Sequence, residues 1–358
     1  MRARLTALGL VAALALSGCT EEQPAPPEPT GSSTPSEEPT TDEPTPSSEP
    51  SSDPPAALDW QPVAGSVDDV VTVSGRWTLT VAADGGSATL DGPRSRTVEA
   101  PAGFSISEAL IDGQYAAVVA EHDQAGRPND VTVVDLRRGR EVDADVEPGV
   151  GGSFALGSGL LASTATRGRD YCLGVVDLVA GRSSQGPCVP PRHGISNLDV
   201  GPAGISAMTF DDGRPSCRTL NRLEGGEFSP LAGVAECRGW EAVVSETFAI
   251  WGEVANERRI EAGSYFVDSG GGPVELGPGT TGSLTWCGDA AYVVRDPQRS
   301  KDPARLLRVD VEGGTTEVVY ETEATGRAFL SEPRCGGSDL TITAYTNEGD
   351  EQVTARLP

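Results

Sequence analysis

One structural unit recurs along most of this chain, and its period limits the folds that are possible. Each copy has an apolar strand pattern, a turn, and a second short strand pattern. The polar residue at the turn marks the unit, and successive markers are 44, 42, 44, 47 and 42 residues apart. A sixth step of 46 residues leads to Arg356. The markers are Asp91, Asp135, Asp177, Asn221, Asp268 and Asp310.

Units of this length with four short strands each are typical of a β-propeller. The second unit, residues 107–145, shows four strand patterns separated by Gly, Asp and Asn turns. A lone blade cannot bury both faces, so the blades must close into a ring. The fold class is therefore predicted to be all-β, a seven-bladed propeller, with six blades as the alternative. The last unit ends after its third strand, and residues 57–63, ALDWQPV, are predicted to add the fourth.

The best-preserved unit resembles those of TolB-like and WD-repeat-like propellers. Leu110–Gly113 supplies the turn and strand pattern, and Val134, Asp135, Leu136 and Gly139 supply the Asp-Leu-x-x-Gly turn. The resemblance implies the architecture of residues 57–358. It carries over no catalytic residue, because this fold hosts both scaffolds and enzymes.

The N-terminal residues predict export. Two arginines precede an apolar run that is too short to span a bilayer. The run ends in Leu-Ser-Gly-Cys, which resembles the lipobox of bacterial lipoproteins. Residues 1–18 are then a signal peptide, and Cys19 becomes the lipidated N-terminus, anchored in the cell membrane on its extracytoplasmic side. The alternative is an ordinary signal peptide with a chance cysteine.

Residues 19–56 form a predicted linker between this anchor and the propeller domain. Residues 20–56 are rich in Pro, Ser and Thr and contain nine acidic residues but no Lys, Arg or aromatic residue. Such a composition predicts a disordered stalk. In extended polyproline II form it would reach on the order of 100 Å.

The charge balance excludes one class of partner. The chain has 27 basic and 53 acidic residues, for a formal charge of -26. A surface this acidic repels phosphate backbones, so no nucleic-acid partner is expected. The remaining partner classes are a protein, a peptide or a cell-wall glycan, and we expect a monomer.

Six cysteines follow Cys19, and an even number in an exported chain indicates three disulfides. Their wide spacing argues against a thiolate metal site. Hairpin geometry would pair Cys172 with Cys188 and place Cys217 and Cys237 around the corresponding hairpin of the next blade. Cys287 and Cys335 remain, and would join the last two blades. Six cysteines allow fifteen pairings, so these three stay a prediction.

No catalytic motif, cofactor-binding motif or metal motif occurs in the sequence. His122 and His193 lie beside loop residues, and no nucleophile is placed with either. Asp143, Asp145 and Glu147 lack the remaining ligands of a calcium loop. Residues 209–213, TFDDG, begin like a sialidase Asp-box but lack its closing aromatic, so a turn is predicted. The five tryptophans, Trp60, Trp77, Trp240, Trp251 and Trp286, fit blade packing better than a sugar platform.

Two function classes remain. The first is a non-catalytic binding or scaffold platform, and the second is an extracytoplasmic hydrolase or lyase with carboxylates meeting at the channel. The acidic residues fall mainly in turns, and Asp211, Asp212, Glu348 and Asp350 are predicted to be solvated. We therefore expect a channel lined by small residues, no catalytic residue and a binding function.

Overall fold

The computed structural model describes residues 58–146, 149–300, 302–322 and 327–358. These residues form seven antiparallel sheets, each with strands ordered from the centre of a ring outward. Their one helical element is a 3-10 helix at Glu257–Arg259, and no helix among them is long and apolar enough to cross a membrane. The predicted seven-bladed propeller is confirmed. The predicted signal peptide, Cys19 and the stalk lie outside the described residues.

The first four blades follow one another along the chain, each with strands in sequence order. The strands of blades 1 and 2 are β2 (Val70–Ser74), β3 (Trp77–Val81), β4 (Ser87–Asp91), β5 (Arg96–Glu99), β6 (Phe104–Ile111), β7 (Tyr115–His122), β8 (Asp130–Asp135) and β9 (Arg140–Val142). The strands of blades 3 and 4 are β10 (Phe154–Gly157), β11 (Leu160–Arg167), β12 (Asp170–Asp177), β13 (Arg182–Cys188), β14 (His193–Gly201), β15 (Gly204–Asp211), β16 (Arg218–Glu224) and β17 (Glu227–Pro230).

Blades 5 and 6 repeat this order, and blade 7 combines both ends of the domain. The strands of blades 5 and 6 are β18 (Gly239–Val244), β19 (Ala249–Glu253), β20 (Gly263–Asp268), β21 (Val274–Gly279), β22 (Thr285–Cys287), β23 (Ala290–Arg295), β24 (Arg305–Asp310) and β25 (Thr315–Glu321). Those of blade 7 are β26 (Phe329–Leu330), β27 (Arg334–Cys335), β28 (Asp339–Tyr345), β29 (Glu351–Arg356) and β1 (Trp60–Pro62).

The turn markers read from the sequence locate the third strands well. Asp91, Asp135, Asp177, Asp268 and Asp310 each end the third strand of a blade, and Arg356 ends β29. Asn221 is the exception, because it lies inside β16. That strand runs on to Glu224 before Gly225 and Gly226, both with positive φ, make the turn. The glycine pair, which tolerates positive φ, sets the end of this strand.

The closing strand lies where the unfinished repeat predicts it. Strand β1 pairs antiparallel with β29, from Trp60 opposite Ala355 to Pro62 opposite Val353. The Trp60 indole N–H donates to the Val319 carbonyl at 2.8 Å, and its ring packs edge-on against Tyr320. The outer strand of blade 7 is thus also held against blade 6.

Apolar side chains pack between consecutive blades, as two-faced sheets require. Trp77 and Leu79 of blade 1 meet Ile106 and Val118 of blade 2, and similar clusters follow at each interface up to blade 7. The interface between blades 7 and 1 is different. There the Val73 N–H donates to the Thr341 hydroxyl, and no such apolar cluster spans this seam in the part of the chain that the structure describes.

The three predicted cysteine pairs are all bonded. Cys172 and Cys188 are directly opposite on β12 and β13, and Cys287–Cys335 joins the innermost strands of blades 6 and 7. Cys217 and Cys237 lie on either side of the β16–β17 hairpin, as predicted, and form the second bond. Cys217 precedes β16, and Cys237 lies between β17 and β18. This bond therefore reaches from blade 4 toward the inner strand of blade 5 and does not clamp only one hairpin.

The closing strand has a direct stability test. A protein that lacks residues 1–54 retains β1 and should melt like the chain without residues 1–18. Removing residues 1–63 deletes β1 and exposes the edge of β29, and we expect the melting temperature to fall by at least about 5 °C. Differential scanning calorimetry measures both. Equal melting temperatures for the two truncations would rule out a closing role for β1.

Candidate functional site

The innermost strands of all seven blades border one central cavity of about 780 Å³. Its wall contains apolar side chains such as Phe154, Leu198 and Trp286. It also contains one arginine, Arg334, and five carboxylates. Asp112 lies in the turn after β6, and the other four come from four different blades; these are Glu108, Asp199, Glu241 and Glu332. The cavity size falls within the range of small-molecule sites.

Three of the four carboxylates follow a β-bulge in an innermost strand. The register between β6 and β7 shifts just before Glu108, and that between β18 and β19 shifts just before Glu241. In β14 the shift ends at Asp199. Bulges interrupt the regular alternation of side chains and redirect them. In contrast, β2, β10 and β22 pair without a register shift, and none of them carries a carboxylate into the cavity.

The fourth carboxylate sits at a break in the inner strand of blade 7. Strands β26 and β27 both pair with β28, and residues 331–333 separate them. Glu332 lies in this break, and Arg334 begins β27. Glu332 is accessible to solvent, yet nearby protein atoms remove enough water from it to raise its pKa, an effect that Arg334 partly offsets.

Glu241 accepts the most hydrogen bonds of these four carboxylates and ties blade 5 to the connection that leads into blade 6. Its side chain accepts hydrogen bonds from the Tyr265 hydroxyl, from the Gly282 N–H at 2.8 Å and from the Leu284 N–H at 3.3 Å. The residue is 8% exposed. Burial raises its pKa to about 7, although the three hydrogen bonds act in the opposite direction.

Asp199 and Glu108 have fewer partners. Burial alone raises the pKa of Asp199 to about 7, and its Oδ2 is buried with no hydrogen-bond partner among the described residues. Burial also raises the pKa of Glu108 to about 7, while the charge of Arg334 lowers it and that of Glu332 raises it again. Since Glu332 also raises the pKa of Glu241, one side chain of blade 7 acts on carboxylates of blades 2 and 5.

The expectation of a channel lined by small residues is wrong. Glu108, Asp199, Glu241 and Glu332 of four blades converge there, and burial raises the pKa of these four. The sequence segments that carry them, such as SISEALI around Glu108, have the polar alternation of ordinary strands. A bulge adds a residue without leaving a composition signal, which is why strand patterns alone misplaced these side chains. Their recurrence near the start of four of the seven repeat units is the signal that was missed.

The carboxylates that were predicted to be solvated are at the surface. Asp212, Glu348 and Asp350 are exposed, and Asp211 is half-buried at the end of β15. Asp211 accepts from the N–H groups of Cys217 and Gly213, which lower its pKa. TFDDG is therefore a hydrogen-bonded connection, as the turn interpretation predicted.

The remaining candidates lie apart from the cavity, with one exception. His122 ends β7 and packs on Phe104, His193 begins β14, and neither lines the cavity. Asp143 and Asp145 are exposed, Glu147 is outside the described residues, and the described residues contain no group of His, Cys, Asp or Glu suited to a metal ion. Four of the tryptophans lie outside the cavity wall; the exception, Trp286, lines it beside Phe248.

Comparison with known proteins supports the fold and nothing finer. The β-propeller domain of the Trilobed protease from Pyrococcus furiosus aligns with a TM-score of 0.53 at 11% identity, over 80% of this chain and 95% of that one. A prolyl endopeptidase aligns with a TM-score of 0.50 at 13% identity, over 76% of this chain. This chain spans only 44% of that endopeptidase. No family model and no curated protein matches the sequence.

The buried Asp199 predicts how stability depends on pH. Its pKa is about 7 in the folded protein and near the ordinary 3.8 in the unfolded chain, so folding must hold the carboxyl protonated. The stability that it contributes is complete below about pH 4 and is lost as the pH rises to about 7. We expect Asp199→Asn to be increasingly more stable than the wild type over this interval, measured by urea unfolding at several pH values.

The exposed Asp350 provides the matched control, because Asp350→Asn makes the same chemical change outside the cavity. It should leave the pH profile of the wild type unchanged. A constant stability difference between Asp199→Asn and the wild type from pH 4 to pH 8 would contradict the burial of Asp199 as a protonated acid.

Proposed function

We propose that this protein is an extracytoplasmic binding protein whose ligand occupies the propeller channel. The observation that carries the proposal is the convergence of charged side chains from four blades in one cavity of about 780 Å³. Arg334 supports it further, because this half-buried arginine forms no close ion pair or side-chain hydrogen bond with the described residues. A charged group left unpaired in a concave site is available to a ligand.

The surroundings of the carboxylates favour binding over catalysis. Glu241 is engaged by three hydrogen bonds, and one oxygen of Asp199 is buried. The Ser153 hydroxyl, which also lines the cavity, accepts from the Leu198 N–H at 3.4 Å, and no histidine lies beside it. Ser153 therefore lacks the adjacent histidine base of a serine nucleophile.

A hydrolase or lyase is the second candidate, and one observation favours it. A carboxylic acid with a pKa near 7 is suited to general acid or base catalysis at neutral pH, and Glu108 has such a pKa on an accessible wall. Glu108 would then exchange protons with a substrate beside Glu332.

We also propose that the protein is a lipid-anchored monomer of the cell envelope, with residues 1–18 as a signal peptide and residues 19–56 as a stalk. The three disulfides support an oxidising compartment. The lipobox-like segment before Cys19 supports the anchor. A TolB-like assignment of residues 57–358 agrees with the Leu110–Gly113 and Asp135–Gly139 turns.

The ligand test uses purified protein and a small-molecule extract of the cell envelope at pH 8. Mass spectrometry identifies molecules that co-elute with the wild type on gel filtration. We expect the double substitution Glu108→Gln and Glu332→Gln to lose them and the exposed control Glu348→Gln to retain them. Equal retention by all three proteins would contradict a channel site. A ligand recovered intact after prolonged incubation supports binding, whereas conversion that requires Glu108 supports the enzyme.

The anchor has a separate test. Cys19→Ala removes the thiol that would receive the lipid, and a protein without acyl chains should leave the membrane. Cell fractionation should find the variant in the soluble extracytoplasmic fraction with its thermal stability unchanged. An alanine variant that stays in the membrane pellet would contradict the lipid anchor.

A further inference from the structure

The charges around the channel are ordered along its axis, and this order defines a ligand class for the proposed site. In each of blades 2, 5 and 7, we count from the carboxylate to the last inner-strand residue that pairs with the neighbouring strand. That residue is Ile111 for Glu108, Val244 for Glu241 and Cys335 for Glu332, three positions later in each case. Those three pairs close hairpins of the same length, Ile111–Ala116, Val244–Ala249 and Cys335–Leu340. Glu108 and Glu241 therefore lie at one depth, roughly 10 Å inside the hairpin end at about 3.3 Å per residue. Glu332 lies in the strand break of blade 7, and its charge acts on both of them.

Positive side chains lie on the hairpin side of this acidic level. Arg334 is only one residue before Cys335, so it stands between Glu332 and the hairpin. A second pocket of about 330 Å³ lies beyond it, bordered by the hairpin turns of blades 7, 1 and 2, and it contains Arg76 and Arg137. It shares Asp112 and Gly337 with the channel cavity, so the two spaces adjoin.

The arginines of the second pocket are available to a ligand. Arg76 and Arg137 are exposed, and neither forms an ion pair or a side-chain hydrogen bond with the described residues. Asp112, the acid in this pocket, is already engaged, because its carboxylate accepts from the N–H groups of Gln114, Tyr115 and Gly159. Two unpaired guanidinium groups in a chain of net charge -26 form a local anion site.

We infer that the channel binds a short peptide with free ends, its amino group at the Glu108–Glu332 level and its carboxylate at Arg76 and Arg137. This rests on the proposed function and adds the ligand class. The hairpin end lies roughly 10 Å from the acidic level, and Arg76 and Arg137 lie in turns beyond it, so an extended chain that advances about 3.3–3.6 Å per residue needs at least about three residues to reach both. The apolar wall formed by Phe154, Leu198 and Trp286 can contact the side chains between the two ends.

Isothermal titration calorimetry of the full chain with trialanine at pH 8 tests the class. Each charged end should contribute at least about tenfold in affinity through charge-assisted hydrogen bonds. We expect N-acetyl-trialanine and trialanine amide to bind at least about tenfold more weakly than trialanine. Dialanine, which is too short to reach both charged levels, should also bind more weakly.

Substitutions assign each end of the peptide to its level. In the double variant Glu108→Gln and Glu332→Gln, trialanine and N-acetyl-trialanine should bind equally well. In the double variant Arg76→Gln and Arg137→Gln, trialanine and trialanine amide should bind equally well. Glu348→Gln and Arg169→Gln, at exposed positions outside both pockets, should behave like the wild type. Circular dichroism of each variant shows whether the fold is retained.

The outcomes separate this inference from the proposed function. If no peptide binds, or if blocking the ends has no effect, the peptide class is overturned. If an envelope molecule still binds in a manner that requires Glu108 and Glu332, the proposed channel site is supported and only the peptide ligand class is rejected. If neither peptides nor envelope molecules depend on these residues, both are overturned.

Discussion

The pairing of β1 with β29 is the constraint on which the rest of this structure depends. Six of the seven blade interfaces are filled by apolar clusters among the described residues, but the seam between blades 7 and 1 relies on polar contacts such as the Gly75 N–H to Asp339 at 2.7 Å. Such hydrogen bonds exchange with water and contribute modestly. Because β1 belongs to blade 7 and continues directly into blade 1, the chain itself ties the seam. A closed ring then holds the seven inner strands around one channel.

The same closure forces like charges together. Glu332 of blade 7 lies close enough to Glu108 of blade 2 and Glu241 of blade 5 to raise the pKa of both. Ionising all of them in a partly desolvated channel opposes folding, and protonation relieves this cost. A bound cation would relieve it in the same way. The ring therefore gives up stability at neutral pH for a site that favours a positively charged group, as binding sites often do.

The sequence predicts the ring much better than the channel. A period of 42–47 residues predicted seven blades with six as the alternative, and the unfinished last unit predicted the closing strand, because strand and turn patterns repeat in every unit. The three cysteine pairs were the favoured set among fifteen, and the structure confirms them. The channel depends on small irregularities. The bulges before Glu108, Asp199 and Glu241 and the strand break at Glu332 redirect side chains that a regular strand would send toward a neighbouring blade. Only the assembled ring shows that these four residues share one cavity.

Carboxyl-carbon NMR titration of the wild type and Glu332→Gln tests this convergence most directly. Removing the charge of Glu332 should lower the titration midpoints of both Glu108 and Glu241 from about 7, although these residues belong to blades 2 and 5. Asp199, whose pKa is raised by burial alone, should keep its midpoint and serves as the internal control. Unchanged midpoints for Glu108 and Glu241 would contradict a shared charged channel at the centre of the ring.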